Sequence, residues 1–249
     1  FNLFFVPILT IALFGFTLEQ SQSYRQAMGL GLMYGLGLFG TGISWIYISL
    51  TKYGGMGSGL AISVVLLFSI YLSAYLAITG GLVFYFRKLS STLRILIIFP
   101  AAWTLSEIGR AYVFTGFPWL SIGYSQVPNG PLIGFGPILG VFGVSFLTIF
   151  LAACLLLIVT KYSESESGKS QKKIAWTLML LLMLGQVLAS IEWSLPTSHP
   201  PTKVALIQGN VSQLTKWDPS TVQKTLTHYK NLVDQTSADL VLLPETAFP

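Results

Sequence analysis

Six long apolar stretches run through this chain, and they constrain its fold more than any other feature. A helix needs about 20 mostly apolar residues to cross the hydrocarbon core of a bilayer. The stretches cover residues 3–18, 28–50, 61–86, 93–108, 134–160 and 174–193. Only 9% of the residues are charged, against roughly 25% in a soluble domain. The sequence therefore predicts a polytopic α-helical membrane domain over residues 1–194, with about six spans, the first and fourth of them short.

The loops between these stretches differ in charge. Basic residues in short loops tend to remain on the cytoplasmic side of a membrane. One set of alternate loops contains Arg25, Arg87, Lys88, Arg94, Lys161, Lys169, Lys172 and Lys173, whereas the other contains Lys52 and Arg110. This imbalance predicts that loop 109–133 and everything after residue 194 lie outside the cytoplasm. The net charge of +5 comes without a basic stripe, so it indicates loop charge beside a bilayer and not nucleic-acid binding.

Glycines are frequent in the second stretch, and their lack of a side chain lets helices approach closely. They are Gly29, Gly31, Gly35, Gly37, Gly40 and Gly42. Their simplest interpretation is dense helix packing. The single cysteine, Cys154, falls within an apolar run, which favours a packing role over a disulfide or a metal site.

Two charged residues lie at the end of a predicted membrane span, where an unpaired charge is energetically costly. Glu107 and Arg110 are three residues apart, on one face of a helix near the outer end of the fourth stretch. An unpaired charge at that depth costs several kcal/mol, so the spacing predicts a direct ion pair that faces the protein interior. Such a pair either fixes the helix orientation or shapes a headgroup or substrate pocket.

The following segment, residues 114–126, is rich in aromatic residues and is broken by Gly and Pro. Trp119 and Tyr124 belong to it. Aromatic side chains of this kind suit the bilayer interface, where the ring contacts lipid and the polar edge contacts water. The segment is either a passive aromatic belt or one wall of a lipid-binding site.

The composition changes after residue 194, where a proline-rich linker over residues 195–202 ends the last helix. Two short apolar runs, 204–207 and 240–243, have the composition of strands covered on both faces. Between them, Asp218 followed by Pro219 predicts the start of a helix. Residues 203–249 therefore read as the opening of an α/β domain, with a strand–helix–strand unit.

Glu245 closely follows the second of these strands. Ligands of α/β sheets bind beyond the carboxyl ends of the strands, so a carboxylate at this position is well placed to act as a base or a ligand. By position alone, a cap or an ordinary surface carboxylate is the alternative.

Nine short motifs in order resemble those of bacterial apolipoprotein N-acyltransferases. They occupy residues 39–47, 52–56, Glu107 with Arg110, 115–119, 123–126, 137–144, 208–210, 216–218 and 244–249. The family has a nitrilase-like αββα sandwich, a carbon–nitrogen hydrolase domain, outside the bacterial inner membrane, with seven spans before it and one after. The resemblance implies an N-terminal fragment that lacks the first span and most of the hydrolase domain.

The resemblance also implies a chemistry. The family transfers a fatty acyl group from a phospholipid to a cysteine, as a thioester, and then to the α-amine of the diacylglyceryl-cysteine of an apolipoprotein. Glu245 corresponds to the general base of a Glu-Lys-Cys triad whose other members would lie beyond residue 249, so the fragment alone is expected to be inactive. Among the residues expected to bind substrate, Trp217 corresponds to a tryptophan that lines the approach to the active site. Trp119 and Tyr124 correspond to the family's aromatic outer loop, which implies a lipid-facing rim. The family implies no cofactor or metal.

Two other classes of protein remain open at this point. Another membrane-fused carbon–nitrogen hydrolase or acyltransferase would share the Glu245 region and differ downstream. A transporter or scaffold with a binding domain is disfavoured, because the chain has neither paired repeats nor charged residues at the middle of its spans.

Overall fold

The computed structural model describes residues 3–161, 168–195, 200–214, 216, 218–245 and 247. It divides into two compact units. The first, which we call the helical unit, comprises Phe1–Ile48 and Met56–Trp193. The second, the C-terminal unit, comprises Ser49–Gly55 and Ser194–Pro249.

Each of the six apolar stretches forms helix. The helices are α1 (Phe5–Glu19), α2 (Tyr24–Gly42), α3 (Trp45–Ile48), α4 (Ser58–Tyr85), α5 (Ser91–Leu93), α6 (Phe99–Tyr112), α7 (Gly136–Lys161) and α8 (Gly168–Ala189). Two π-helical segments, Ser49–Tyr53 and Arg94–Ile98, follow α3 and α5, and short 3-10 turns occupy Val113–Thr115, Ile122–Gln126 and Ile133–Phe135.

Four continuous helical segments are long and apolar enough to cross a bilayer: Ser58–Tyr85, Ser91–Thr115, Ile133–Thr160 and Gln171–Ala189. A fifth span forms if Tyr24–Gly42 and Trp45–Tyr53, bent by 46°, count as one, whereas Phe5–Glu19 is shorter. The multi-pass helical class is thereby confirmed, and the count of six spans stays a prediction.

The fourth stretch is longer than its apolar residues suggested. It forms 25 residues of helical structure, Ser91–Thr115, instead of ending at residue 108. The helix passes through Glu107 and Arg110 because both side chains are buried, 3% exposed each, and hydrogen-bonded inside the protein.

Helices α2 and α4 pack most closely where glycines replace side chains. A Cβ atom at Gly31 would overlap the Leu76 carbonyl group, and one at Gly80 would overlap that of Ala27. A Cβ at Gly35 would lie 2.7 Å from the Ser73 Cβ. Dense packing is confirmed at Gly31 and Gly35, and Gly42 abuts the Leu120 side chain. The prediction of dense packing is wrong for Gly29, Gly37 and Gly40. A Cβ atom at these positions would have no neighbour within 4 Å, because they lie on the other side of the helix.

Aromatic side chains fill the space between α1, α2 and α6. Phe14 stacks on Tyr34 with ring centroids 4.6 Å apart, and it meets Phe99 and Trp103 edge-on at 5.9 and 6.0 Å. Phe99 and Trp103 are each 1% exposed. Cys154 is also buried, in a cluster of apolar side chains on α7 and its neighbours, which confirms its predicted packing role.

The C-terminal unit contains the predicted strand–helix–strand unit. Strands β1 (Val204–Leu206) and β2 (Leu240–Leu242) pair in parallel, with Val204 opposite Leu240. Helix α9 (Pro219–Asp234) connects them. The Ser220 N–H donates to the Asp218 carboxylate at 2.9 Å, which confirms the N-cap and lowers the pKa of that carboxyl group.

The described residues leave one face of these strands exposed, so the coverage of both faces stays a prediction. Leu206 is 76% exposed and Leu242 is 46% exposed. The physical reason is that a single helix covers only one face of a two-stranded sheet. The αββα sandwich itself stays a prediction, since two strands establish only a small parallel α/β arrangement.

The close packing of α2 and α4 yields a test. Gly31→Ala should lower the free energy of unfolding by about 1–3 kcal/mol, because the new methyl group meets backbone that cannot yield easily. Unfolding of the purified protein in detergent would measure this change. Gly29→Ala is the matched control and should leave stability near that of the wild type, since it points into open space. Equal stabilities of the two variants would contradict the packing described.

Candidate functional site

The outer loop, residues 113–126, is tied to the end of α6 by Arg110. The guanidinium donates to the carbonyl oxygen of Phe117 at 2.7 Å and also to that of Trp119. In return the Phe117 N–H donates to the Arg110 carbonyl at 2.8 Å. The guanidinium also lies 5.1 Å from the ring centroid of Phe39, an arrangement in which the ring face attracts the cation.

Glu107 anchors the same loop at a second place. Its carboxylate accepts hydrogen bonds from Ser145 Oγ at 2.6 Å, from the Ile122 N–H at 2.8 Å and from Trp103 Nε1 at 3.0 Å. Ser145 Oγ in turn accepts from the Gly123 N–H at 2.9 Å. One buried carboxylate therefore joins α6, α7 and the outer loop.

The predicted direct ion pair between Glu107 and Arg110 is wrong. These two residues form no salt bridge, whereas Glu19 and Arg94 do. The reason is that the outer loop folds back over the helix end and offers its own carbonyl and N–H groups to both charges. Both side chains nevertheless line one cavity of about 10 Å³, at the lower limit of room for a single water.

The backbone of the outer loop is strained between these two anchors. Phe114, Thr115 and Leu120 have φ angles of 51°, 70° and 60°, in the left-handed region that residues with a side chain seldom adopt. Each such residue costs on the order of 1–3 kcal/mol and persists only where its surroundings hold it. The bonds of Arg110 and Glu107 supply that restraint.

Trp119 and Tyr124 lie on the surface of the outer loop, 50% and 59% exposed. The Trp119 ring is 5.6 Å from that of Trp45 and 6.2 Å from that of Phe117. Arg110 thus brings the backbone of Trp119 to the buried charges while its indole faces outward. Their contact with substrate stays a prediction.

Two residues of this region were assigned no role from the sequence. Ser145 is a hydroxyl inside an apolar span and is 0% exposed, so its need for a hydrogen-bond partner was a usable signal. Trp45 is the first residue of α3, directly after the break that follows α2. Nothing in the sequence around Trp45 indicated that its ring would contact that of Trp119.

Glu245 lies in the C-terminal unit, three residues after the end of β2. It is exposed and belongs to a turn in which the Ala247 N–H donates to the Pro244 carbonyl at 3.1 Å. Lys216 Nζ donates to the Glu245 carbonyl oxygen at 3.2 Å, which holds this turn against the loop before α9. The role of Glu245 as a base stays a prediction, and Trp217 lies outside the described residues.

The helices, the buried charges and the outer aromatic loop together define a multi-pass α-helical membrane protein. Residues 1–154 match the family described as apolipoprotein N-acyltransferase N-terminal domain. The chain belongs to this family.

Curated relatives match beyond that domain. The apolipoprotein N-acyltransferase of Coxiella burnetii is 39% identical over 88% of this chain and 44% of its own length. That of Nitrosomonas europaea is 36% identical over 100% of this chain and 48% of its own length, and that of Pseudomonas putida is 38% identical over the same shares. The chain thus spans slightly less than half the length of these relatives.

The anchoring of the outer loop can be tested at Arg110. Arg110→Met should lower the free energy of unfolding by about 2–5 kcal/mol, because two loop carbonyls lose their donor and the Glu107 carboxylate loses a nearby positive charge. Detergent unfolding would measure the loss, and limited proteolysis would detect faster cleavage within residues 113–126. Arg25→Met, at an exposed position in the first turn of α2, is the control. Unchanged stability and cleavage of the Arg110 variant would refute the anchoring role.

Proposed function

We propose that the protein containing this chain is an N-acyltransferase of lipoprotein maturation. It moves a fatty acyl group from a membrane phospholipid, by way of a cysteine thioester, to the α-amino group of the diacylglyceryl-cysteine of an apolipoprotein. The observation that carries the proposal is the similarity to proteins of that name, at 36–39% identity over 88–100% of the chain.

The proposed location is the bacterial inner membrane, with the C-terminal unit on the periplasmic side. The support is the distribution of loop charge. Arg25, Arg87, Lys88 and Arg94 all belong to the loops assigned to the cytoplasm. The outer loop and the segment after residue 194 belong to the opposite set, so they would share a membrane face with the lipid donor.

Glu245 is proposed as the general base. It would take the thiol proton of a cysteine outside this sequence, and the thiolate would attack the ester carbonyl of the phospholipid. The thioester forms as the lysophospholipid alkoxide leaves and is protonated. The lipoprotein amine then attacks the thioester and releases the thiol. The position of Glu245 on an exposed turn beyond the carboxyl end of β2 supports this role.

Trp119 and Tyr124 are proposed to form an aromatic rim for the lipid substrate, and Trp217 to line the approach to the nucleophile. The half-exposed rings of Trp119 and Tyr124 suit an interface between lipid and water. The bonds that Arg110 and Glu107 make to the loop would keep such a rim in place during the reaction, because ordering it at each encounter would cost conformational entropy.

The covalent intermediate is open to a direct test. The full-length protein that contains this chain should acquire acyl label when incubated with phospholipid labelled in its acyl chain. Neutral hydroxylamine should release the label, because thioesters react with it far faster than amides do. A phospholipid with ether-linked chains is the control and should transfer nothing. Folded protein that acquires no adduct from the ester substrate would exclude the mechanism.

If Glu245 is the general base, replacing it should slow acylation and leave folding unchanged. Glu245→Gln in the full-length protein should slow acylation by a factor on the order of 10²–10⁴, the usual contribution of a general base. The unfolding midpoint should stay that of the wild type, since the side chain is exposed. Asp234→Asn, an exposed carboxylate at the end of α9, should acylate normally. A Glu245→Gln protein with wild-type turnover would show that the base is another residue.

A further inference from the structure

Both buried charges of α6 line the same small cavity. Its volume is about 10 Å³, which is room for one water molecule and for nothing larger. Part of its wall is polar, because it is lined by Tyr75, Ser106, Glu107 and Arg110. The rest of the wall is apolar or aromatic and includes Leu38, Phe39 and Trp103. The cavity therefore combines the size of a single water with groups of both charges.

The Arg110 guanidinium has three donors that no described residue accepts. A guanidinium carries five N–H groups, two of them on Nη1. The hydrogen bonds to the carbonyls of Phe117 and Trp119 both come from Nη1. The donors on Nε and Nη2 have no such acceptor within the described ranges. Because Arg110 is only 3% exposed, these donors need an acceptor close by, and the cavity is the space that the residue lines.

The Glu107 carboxylate has capacity for one more hydrogen bond. Its two oxygens offer about four lone-pair positions. Oε1 accepts from Trp103 Nε1 and from the Ile122 N–H, whereas Oε2 accepts from Ser145 Oγ. One position on Oε2 therefore stays available, and Glu107 is as deeply buried as Arg110.

A neutral dipole suits this cavity better than an ion does. Arg110 would attract chloride and Glu107 would repel it, and a cation would meet the reverse. Either ion would also lose its hydration shell, which is costly in a buried site. Water accepts from a guanidinium and donates to a carboxylate at the same time. A buried water typically makes about three hydrogen bonds, and two donors of Arg110 with one acceptor position of Glu107 supply that number.

We infer that this cavity binds one ordered water molecule, which bridges the Arg110 guanidinium and the Glu107 carboxylate. The water oxygen accepts from Nε and Nη2 of Arg110, and the water donates to Oε2 of Glu107. The bridge takes the place of the direct ion pair that the spacing of the two residues predicted, and it connects the two anchors of the outer loop. Water binding here does not depend on the acyl transfer proposed above.

X-ray hydroxyl-radical footprinting of the full-length protein in detergent tests for water at this place. Radiolysis of a bound water forms the radical inside the protein, so the radical oxidises neighbouring side chains that bulk solvent seldom reaches. Phe39 lines the cavity and is 2% exposed, whereas Phe99 is 1% exposed and does not line it. Phe39 should be oxidised severalfold faster than Phe99. Equal rates at the two phenylalanines would overturn the inference.

A variant that fills the cavity locates the water. Leu38→Phe enlarges a side chain of the cavity wall and should lower the oxidation of Phe39 to the rate of Phe99. Leu30→Phe is the matched control, since Leu30 is also a partly buried residue of α2 but does not line the cavity. Phe39 should keep its wild-type rate in the control. If Phe39 keeps that rate in the Leu38→Phe protein as well, the water lies elsewhere and the inference fails. A Leu38→Phe protein that unfolds would raise oxidation at both phenylalanines, and the wild-type comparison would then decide.

A density map of the full-length protein that resolves ordered waters tests the identity of the occupant. It should contain one peak within hydrogen-bond distance of both charged side chains, in chloride and in gluconate buffer alike. A peak that disappears in gluconate would mean that chloride is bound. That result, or direct contact between Glu107 and Arg110 without a peak, would overturn the inference.

Discussion

The carboxylate of Glu107 is the contact that fixes residues 113–126 against the helical unit. A buried charge in a membrane span is tolerated only when its hydrogen-bonding capacity is filled. Here the donors come from three separate parts of the chain: the indole of Trp103, the N–H of Ile122 and the hydroxyl of Ser145. Because each donor belongs to a different segment, satisfying one charge also fixes where the outer loop lies relative to α6 and α7.

Arg110 completes this arrangement by bonding the strained part of the loop. The loop carries three non-glycine residues with positive φ, a conformation that an unrestrained surface segment would leave. The hydrogen bonds that satisfy the two buried charges therefore also hold the loop in its strained conformation. The result is an aromatic surface, with Trp119 and Tyr124 half exposed, that the buried side chains of Arg110 and Glu107 hold in place.

The helical architecture could be read from hydropathy because the bilayer imposes a simple requirement. All backbone polar groups in the hydrocarbon core must bond within the chain, so an apolar stretch of about 20 residues becomes a helix whatever its neighbours are. The strand–helix–strand unit was equally predictable from the sequence. Asp218 and Pro219 mark the start of α9, and the apolar runs 204–207 and 240–243 flank it. The bend near residues 43–44 and the length of Ser91–Thr115 could not be predicted. The helix continues past residue 108 because Glu107 and Arg110 find hydrogen-bond partners that are distant in the sequence.

The sequence by itself determined that the chain is a multi-pass membrane protein with a small α/β unit after its last long helix, and which residues carry charge at costly depths. Only the tertiary structure decided what those charges bind. A helix places Glu107 and Arg110 on one face, and that spacing predicted a direct pair. The folded chain instead brings loop carbonyls to Arg110 and the Ser145 hydroxyl to Glu107. Hydrogen-bond partners are chosen by proximity in space, and proximity between distant segments is set by packing, which local sequence does not encode.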